Sequence, residues 1–125
     1  HGVRVGIATD ILTAGEGLES TLSLRMALPD LTVIAALSAN HLAALILPAG
    51  LRRLYIAADA DEAGAMAADK LTERADAVGI ETIRLAPLGD DFNEDLRKLG
   101  REDLRAHLGP QLATADLSRL LSCDP

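Results

Sequence analysis

The chain has 125 residues, 49% of them hydrophobic, and its 19 acidic and 12 basic side chains give a formal net charge of −7. An acidic domain with one Phe, one Tyr and no Trp lacks the basic face and the stacking platform of an autonomous nucleic-acid clamp. Its single cysteine, Cys123, excludes an internal disulfide and a cysteine-based zinc site. No apolar run reaches the ~20 residues that a membrane span needs. We therefore expect one globular domain of a longer, cytoplasmic protein that makes no contact with membranes.

Short apolar runs alternate with helical patterns along the chain. In chain order we predict extended segments at 3–8 and 11–14, a helix at 16–28, a strand at 31–37, a short helix at 38–47, a strand at 53–58, a helix at 62–78, a strand at 81–86 and two or three short helices from 93 onward. The first two segments are expected to form a hairpin through Thr9 and Asp10. The clearest helix, at 62–78, has an apolar stripe made of Ala63, Ala67, Leu71, Ala75 and Val78. Buried strands that alternate with helices predict an α/β fold with a mostly parallel sheet flanked by helices.

Acidic residues follow three of the predicted strands. Glu16 follows the second strand, Asp59 and Asp61 follow the strand at 53–58, and Asp91 comes shortly after the last strand. In open α/β sheets, ligands bind at the carboxyl ends of the strands, where these residues are expected. Carboxylate oxygens suit Mg²⁺ or Mn²⁺, and such an ion can accept a polyanionic partner. The sequence therefore predicts a divalent-metal site at this edge of the sheet.

These residues also have structural interpretations. Acidic residues are favoured as N-caps where a strand leads into a helix, although a helix needs only one cap and this chain has both Asp59 and Asp61. A glycine near a helix start, such as Gly17 or Gly64, often only lets the helix pack closely on a strand. Neither glycine belongs to a glycine-rich nucleotide-binding motif.

Two cations, Lys70 and Arg74, stand one turn apart on the helix predicted at 62–78. This spacing places them on one face of the helix, where they are candidates to contact a phosphate backbone. An ordinary solvated helix face is the alternative. The sequence leaves both interpretations open.

Taken in order, three segments resemble the motifs of the Toprim domain, the catalytic fold shared by bacterial-type primases, topoisomerases and certain nucleases. The first segment is TAGEGLESTLSL, in which a strand leads into Glu16 and a helix. The second is LYIAADADEAGAMAADKL, with Asp59-x-Asp61 followed by Gly64. The third is PLGDDFNEDL, which is similar to the primase-like ending G-x-D-x-N-D-x-L. The resemblance covers residues 3–96, is closest to primase-like proteins of plasmids, phages and other mobile elements, and implies a Rossmann-like sheet.

The resemblance implies roles for individual residues. Glu16 matches the glutamate proposed as general acid/base in nucleotidyl transfer. Asp59 and Asp61 match a metal-binding pair, and Asp91 matches a third acid that supports metal binding in primases. Asn93 stands where those enzymes often have a second acid in the third motif.

Two positions depart from the primase pattern, and they bear on the number of metal ligands. Primases usually have an acid four residues after the motif glutamate, where this chain has Ser20, and Asn93 is neutral. Glu19, next to Ser20, is expected to point elsewhere on its helix. Fewer anionic ligands are therefore expected around the metal, and substrate binding is assigned to Lys70, Arg74 and Asn93.

The resemblance implies an enzyme, a DNA primase-like nucleotidyltransferase that makes RNA primers on a DNA template with Mg²⁺ or Mn²⁺. The chain, 1–125, is expected to be one catalytic domain with a sheet core at 1–96 and a helical tail at 97–125. Single-stranded DNA and NTPs are the implied partners, held by additional domains, and a helicase is a further implied partner. Two alternatives stay open: a Toprim-type nuclease that cleaves phosphodiesters, and a non-catalytic module that binds nucleic acid or a partner protein.

Overall fold

The computed structural model describes residues 3–5, 10–58 and 61–121, which form a five-stranded sheet with helices on both faces. In chain order the elements are β1 (Val3–Val5), β2 (Ile11–Gly15), α1 (Leu18–Ala27), β3 (Val33–Ala35), α2 (Ala39–Ala43), β4 (Arg53–Ala57), α3 (Glu62–Ala77), β5 (Glu81–Arg84), α4 (Phe92–Leu108) and α5 (Thr114–Leu120). A 3₁₀ turn over Gly109–Gln111 joins α4 to α5. The predicted alternation of strands and helices is confirmed, although β3 and α2 are shorter than predicted.

The strands are arranged in the order β1-β3-β2-β4-β5. β2 is parallel to both β3 and β4, and β4 is parallel to β5. β1 instead pairs antiparallel with β3, with Val3 opposite Ala35 and Val5 opposite Val33. The predicted hairpin between the first two strands is therefore wrong. β2 lies between β3 and β4 and so has no free edge for β1, which pairs with the outer edge of β3 instead.

Alternate residues of β4 point to opposite faces of the sheet and contribute to two separate cores. Tyr55 and Ala57 belong to the core that α1, α4 and α5 cover. Leu54 and Ile56 belong to the core that α2 and α3 cover. All four residues are buried. Helices on both faces confirm the predicted α/β architecture, and they leave the strand-to-helix turns at the carboxyl edge of the sheet.

Helix α3 confirms the helix predicted at 62–78, and the middle of its apolar stripe packs as expected. Three stripe residues are buried in the second core: Ala67, Leu71 and Ala75. Ala63 and Val78, at the two ends of the stripe, are exposed. They lie in the first turn of α3 and just past its last residue.

The predicted tail forms α4 and α5 and contributes to the core. Gly100, with a φ of 84°, interrupts α4 and divides it into two helical segments, so that with α5 the described tail has three short helices, as predicted. Four tail leucines are buried in the same core as Tyr55, namely Leu104, Leu108, Leu112 and Leu120. None of the helices in the described part of the chain has the length and apolar character to span a membrane.

A buried polar network fixes α5 to the first residues of β4. Asp116, which is 1% exposed, accepts hydrogen bonds from Arg53 Nη1 at 2.6 Å and Tyr55 Oη at 2.5 Å. The Tyr55 hydroxyl in turn accepts a hydrogen bond from the Ala113 amide at 3.0 Å. Burial, together with the neighbouring Asp116 carboxylate, raises the pKa of Tyr55 well above its ordinary value. Because the buried charges are paired, the network avoids the penalty that an unpaired charge would carry.

A second ion cluster lies at the same end of the sheet but is more exposed. Asp10 precedes β2 and pairs with Arg52 Nη2 at 2.6 Å and with Arg119 Nη2 of α5 at 3.1 Å. The hydrogen bonds from Arg119 and then from Arg52 hold the pKa of Asp10 well below its ordinary range. The amino-terminal edge of the sheet is thus linked to α5 by two groups of charges.

Candidate functional site

Three strand-to-helix turns carry the acidic residues predicted to form the site. β2, β4 and β5 are parallel neighbours, so the turns that follow them lie along one edge of the sheet. Glu16 stands in the β2–α1 turn, Asp61 in the β4–α3 turn and Asp91 in the β5–α4 turn. Asp59, the other member of the predicted metal-binding pair, lies outside the described residues.

Close packing of Gly15 positions the β2–α1 turn and its half-buried Glu16. A Cβ at residue 15 would lie 2.4 Å from Thr21 Oγ1 and 3.1 Å from the Ala57 carbonyl oxygen, so glycine is required there. A Cβ at Gly17, by contrast, would meet no described atom within 4 Å. The close-packing interpretation therefore applies to Gly15 and not to Gly17. Gly17 leaves open space next to Glu16.

Asp61 and Asp91 are the N-caps of α3 and α4. Asp61 Oδ1 accepts a hydrogen bond of 2.6 Å from the Gly64 amide, and Asp91 Oδ1 accepts one of 2.8 Å from the Glu94 amide. The capping interpretation is therefore confirmed for both residues. A cap uses one carboxylate oxygen, and an ionised carboxylate has two acceptor oxygens. Capping fixes these side chains at the site edge and is compatible with a second partner.

Glu19 and Asn93 join the first and third motif segments. Asn93 Nδ2 donates a hydrogen bond of 3.2 Å to Glu19 Oε2, and Ser23 Oγ lies 3.5 Å from Asn93 Oδ1. The expectation that Glu19 points elsewhere is wrong, because α1 packs against α4 and turns the face with Glu19 toward Asn93. The arrangement places a neutral amide next to Glu19, where a second carboxylate would be repelled.

Asp95 is an acidic residue of the third segment for which the sequence analysis predicted no role. It is 3% exposed, and its two oxygens accept hydrogen bonds from the amides of Leu88 at 2.7 Å and Gly89 at 2.8 Å. These contacts hold the loop that leads to Asp91. Its spacing could have revealed the role, because a residue four positions after the cap lies on the same helix face and points back toward the helix start.

Lys70 and Arg74 line one groove between α2 and α3. The groove has a volume of about 500 Å³, and its other lining residues are Asn40, Ala43 and Ala44. Arg74 Nη1 donates a hydrogen bond of 2.8 Å to the Ala43 carbonyl oxygen at the end of α2. Of the described residues that line this groove, only Lys70 and Arg74 are charged. The groove is therefore locally basic in a chain whose net charge is negative.

The donor chemistry of the carboxyl edge can be compared with the needs of a divalent ion. The carboxylates of Glu16, Asp61 and Asp91 are hard oxygen ligands of the type that Mg²⁺ and Mn²⁺ prefer. Within the described part of the chain, no three His, Cys, Asp or Glu side chains are placed to hold an ion together. Mg²⁺ is usually held by one or two carboxylates, with waters and substrate phosphates as its other ligands. The described carboxylates have the donor chemistry that this mode of binding requires.

A family model of the Toprim domain matches residues 11–102 of the chain. The chain belongs to the Toprim domain family. The matched range includes all three acidic turns, from the start of β2 into α4. The resemblance inferred from the three motif segments is thereby confirmed, as is the mostly parallel sheet of the Toprim fold. The comparison of this Toprim chain with curated proteins gives no match.

Solved structures that contain primases share the fold of this Toprim domain. The Aquifex aeolicus primase (zinc-binding and RNA polymerase domains) matches with a TM-score of 0.58 and 25% identity, over 82% of this chain and 26% of that chain. A DNA primase domain from Pseudomonas aeruginosa matches with a TM-score of 0.57 and 24% identity, over 82% and 33% of the two chains. A third match is a chain in the complex of bacteriophage T7 lagging-strand DNA polymerase with primase domains of two gp4 subunits. Its TM-score is 0.56 and its identity is 15%, over 80% of this chain and 54% of that chain. The Toprim chain thus spans between about a quarter and a half of these three chains.

Proposed function

We propose that this Toprim domain carries the nucleotidyl-transfer site of a DNA primase-like protein that synthesises RNA primers on a DNA template. One observation carries the proposal: three acidic turns, with Glu16, Asp61 and Asp91, follow neighbouring parallel strands along one edge of the sheet. Membership of the Toprim family and the fold shared with the Aquifex aeolicus primase at 25% identity support it.

Glu16 is the proposed general base, whose carboxylate accepts the proton of the attacking 3′-hydroxyl or helps to hold a cation. Asp59, Asp61 and Asp91 are the proposed ligands of Mg²⁺ or Mn²⁺, an ion that when bound neutralises the charge of the triphosphate. Nucleotidyl transfer depends mainly on alignment and charge stabilisation, so the protein must keep its carboxylates preorganised. The two N-caps and the loop contacts of Asp95 provide that order.

Lys70 and Arg74 are proposed to bind phosphate groups along the groove between α2 and α3. Although one nitrogen of Arg74 is bound to the Ala43 carbonyl, a guanidinium has five N–H donors and can bind a phosphate at the same time. Asn93 is proposed to contact substrate from the start of α4, with its amide oriented by Glu19. These residues would align the strand and the nucleotide.

Additional domains are proposed to hold the single-stranded DNA template, because a chain with a net charge of −7 provides little non-specific attraction for it. In the T7 complex, the primase domains of two gp4 subunits are bound to an RNA/DNA hybrid and dTTP. We also propose a helicase as a further partner, as the resemblance to primase-like proteins implies. The chain, 1–125, would then be one catalytic domain, with a sheet core at 1–96 and a helical tail, of a longer cytoplasmic protein from a mobile element.

The charge of each aspartate can be tested separately from its capping role, because Asn caps a helix about as well as Asp. Asp61→Asn and Asp91→Asn should therefore unfold like the wild type and yet lose metal-dependent activity. The assay incubates the full-length protein with single-stranded DNA, NTPs and Mg²⁺ or Mn²⁺ and separates the products on a sequencing gel. We expect short RNA products that fall by about 100-fold or more in Asp61→Asn. Asp90→Asn, an exposed neighbour with the same change of charge, is the matched control and should retain the products.

Other outcomes separate the alternatives. Shortened DNA that disappears in Asp61→Asn would identify a Toprim-type nuclease, in which water replaces the hydroxyl as nucleophile. If neither product forms and Asp61→Asn leaves the Mg²⁺ affinity unchanged, the catalytic proposal is contradicted and a non-catalytic binding module remains.

A further inference from the structure

Leu37, directly after β3, combines two unfavourable features. Its φ is 78°, and it is the only residue other than glycine with a positive φ in the described ranges. This left-handed backbone region is strained for an L-residue with a branched side chain. The side chain is also 54% exposed, so it contributes little to either core. The leucine side chain at this position therefore contributes little to the stability of the fold.

The backbone of Leu37 is tied to Glu16. The pairing of β2 with β3 continues past the strand ends, where the Ala36 amide donates to the Gly15 carbonyl at 2.8 Å and the Leu37 amide donates to the Glu16 carbonyl at 2.7 Å. This contact needs only an N–H group, which almost any residue supplies. Glycine would make it without strain, so the contact does not explain why a leucine is present.

A second exposed leucine, Leu18, lies close to Glu16 in the chain. Leu18, two residues after Glu16, is 39% exposed at the start of α1. Between them, Gly17 faces open space, since a Cβ there would have no described atom within 4 Å. Leu37, through its backbone contact, and Leu18, through its place in the chain, are therefore exposed apolar neighbours of Glu16 at the carboxyl edge.

We propose that Leu37 is a specificity-determining residue that contacts the base of a nucleotide bound at Glu16. The inference rests on the proposed nucleotidyl-transfer function and names the part of the substrate that Leu37 contacts. A nucleobase presents a large uncharged face, which an exposed leucine can cover, whereas a polyphosphate presents only charge. Strained residues persist where the surrounding structure holds them and are concentrated at ligand-binding sites, which accords with this position.

The test compares two probes, ATP and inorganic tripolyphosphate, by equilibrium binding in the presence of Mg²⁺. Leu37→Asn and Leu37→Gly keep the amide and relieve the strain, so both variants should melt at the wild-type temperature or above it. We expect both to weaken ATP binding by about tenfold, as for the loss of contact with a half-exposed leucine, and to leave tripolyphosphate binding unchanged. Leu37→Met should restore ATP binding. Met26→Ala, at a residue that is also 54% exposed but lies at the end of α1 farthest from Glu16, is the control and should have no effect.

The outcomes distinguish this inference from the proposed function beneath it. If ATP binds normally to Leu37→Asn, or if ATP and tripolyphosphate weaken equally, Leu37 does not contact the base. If Asp61→Asn leaves the affinity for both probes unchanged while Leu37→Asn weakens ATP alone, the metal role of Asp61 fails and the inference stands. If the wild-type protein binds neither probe, both are overturned.

Discussion

Asn93 donates a hydrogen bond of 3.2 Å from Nδ2 to Glu19 Oε2, and this contact connects the start of α4 to the first turn of α1. The two residues belong to the third and first motif segments, which are 74 positions apart in the chain. An amide at position 93 satisfies the Glu19 carboxylate, whereas an acid there would face a like charge. The contact therefore relates the neutral residue in the third motif to a specific acid in the first.

Replacement of the amide by a carboxylate tests this relationship. Asn93→Asp should lower the free energy of unfolding by about 1 kcal/mol, because two like charges then lie within a few ångströms near solvent. MgCl₂ should restore the loss, since a cation shared by the two carboxylates binds the folded state. Thermal unfolding with and without MgCl₂ measures both effects. The double variant Asn93→Asp/Glu19→Gln should be stable without Mg²⁺, and full stability of the single variant would contradict the relationship.

Arg53 pairs with two carboxylates that differ in burial, and this permits an internal comparison. Its partner Asp116 has a side chain that is 1% exposed, whereas that of Glu81 is 58% exposed. Asp116→Asn should reduce the free energy of unfolding by about 3 kcal/mol or more, because it leaves a buried cation poorly compensated. Glu81→Gln should reduce it by about 0.2–1 kcal/mol, as is usual for an exposed pair. Urea unfolding of both variants is the measurement, and equal losses would show that the buried network does not hold α5.

Asp10 should make the stability depend on pH in the acidic range. Its pKa is lowered in the folded protein by Arg119 and Arg52, so its stabilising effect is complete above the ordinary value of 3.8. The effect is lost progressively as the pH falls below that value toward the folded pKa. Urea midpoints of wild type and Asp10→Asn should therefore differ at pH 7 and converge at low pH. Asp30→Asn, on an exposed turn, is the control, and a difference that persists at low pH would refute this assignment.

The two glycines of the β2–α1 turn should respond differently to substitution. Gly15→Ala should destabilise the domain by about 1–3 kcal/mol, because its Cβ would lie 2.4 Å from Thr21 Oγ1. Gly17→Ser should leave stability unchanged or raise it by a few tenths of a kcal/mol, because Gly17 is the N-cap of α1 and makes no side-chain cap. If the open space next to Glu16 holds a nucleotide, Gly17→Ser should still weaken ATP binding. Chemical unfolding and equilibrium binding of the same variants check the pair of expectations.

The predicted helices and strands follow from local sequence patterns. The placement of the acidic turns at the carboxyl edge follows from the same patterns. The periodicity of α3 and the apolar runs of the strands are visible within a few residues of sequence. The acidic turns could be assigned to one edge because the carboxyl ends of parallel strands lie at the same edge of a sheet. Asp61 and Asp91 could be recognised both as caps and as candidate ligands, since a carboxylate can serve as either.

The remaining features depend on contacts between distant segments. The partner of β1 was decided by which edge of the sheet α1 leaves free, and the direction of Glu19 by the packing of α1 on α4. Asp116 has no local pattern that connects it with Arg53, 63 residues earlier. The positive φ of Leu37 likewise has no sequence marker, because leucine is not a residue that favours this conformation.

The hydrophobic core includes residues beyond the end of the family match, and this affects how the domain should be produced. The match ends at residue 102, yet α5 supplies Asp116 and Leu120 to the interior. A protein truncated at that boundary would retain every acidic turn and lose Asp116, the buried one of the two carboxylates that pair with Arg53. We expect it to be recovered as an insoluble or protease-sensitive product. A negative result from such a truncated protein would report on its folding and not on its chemistry.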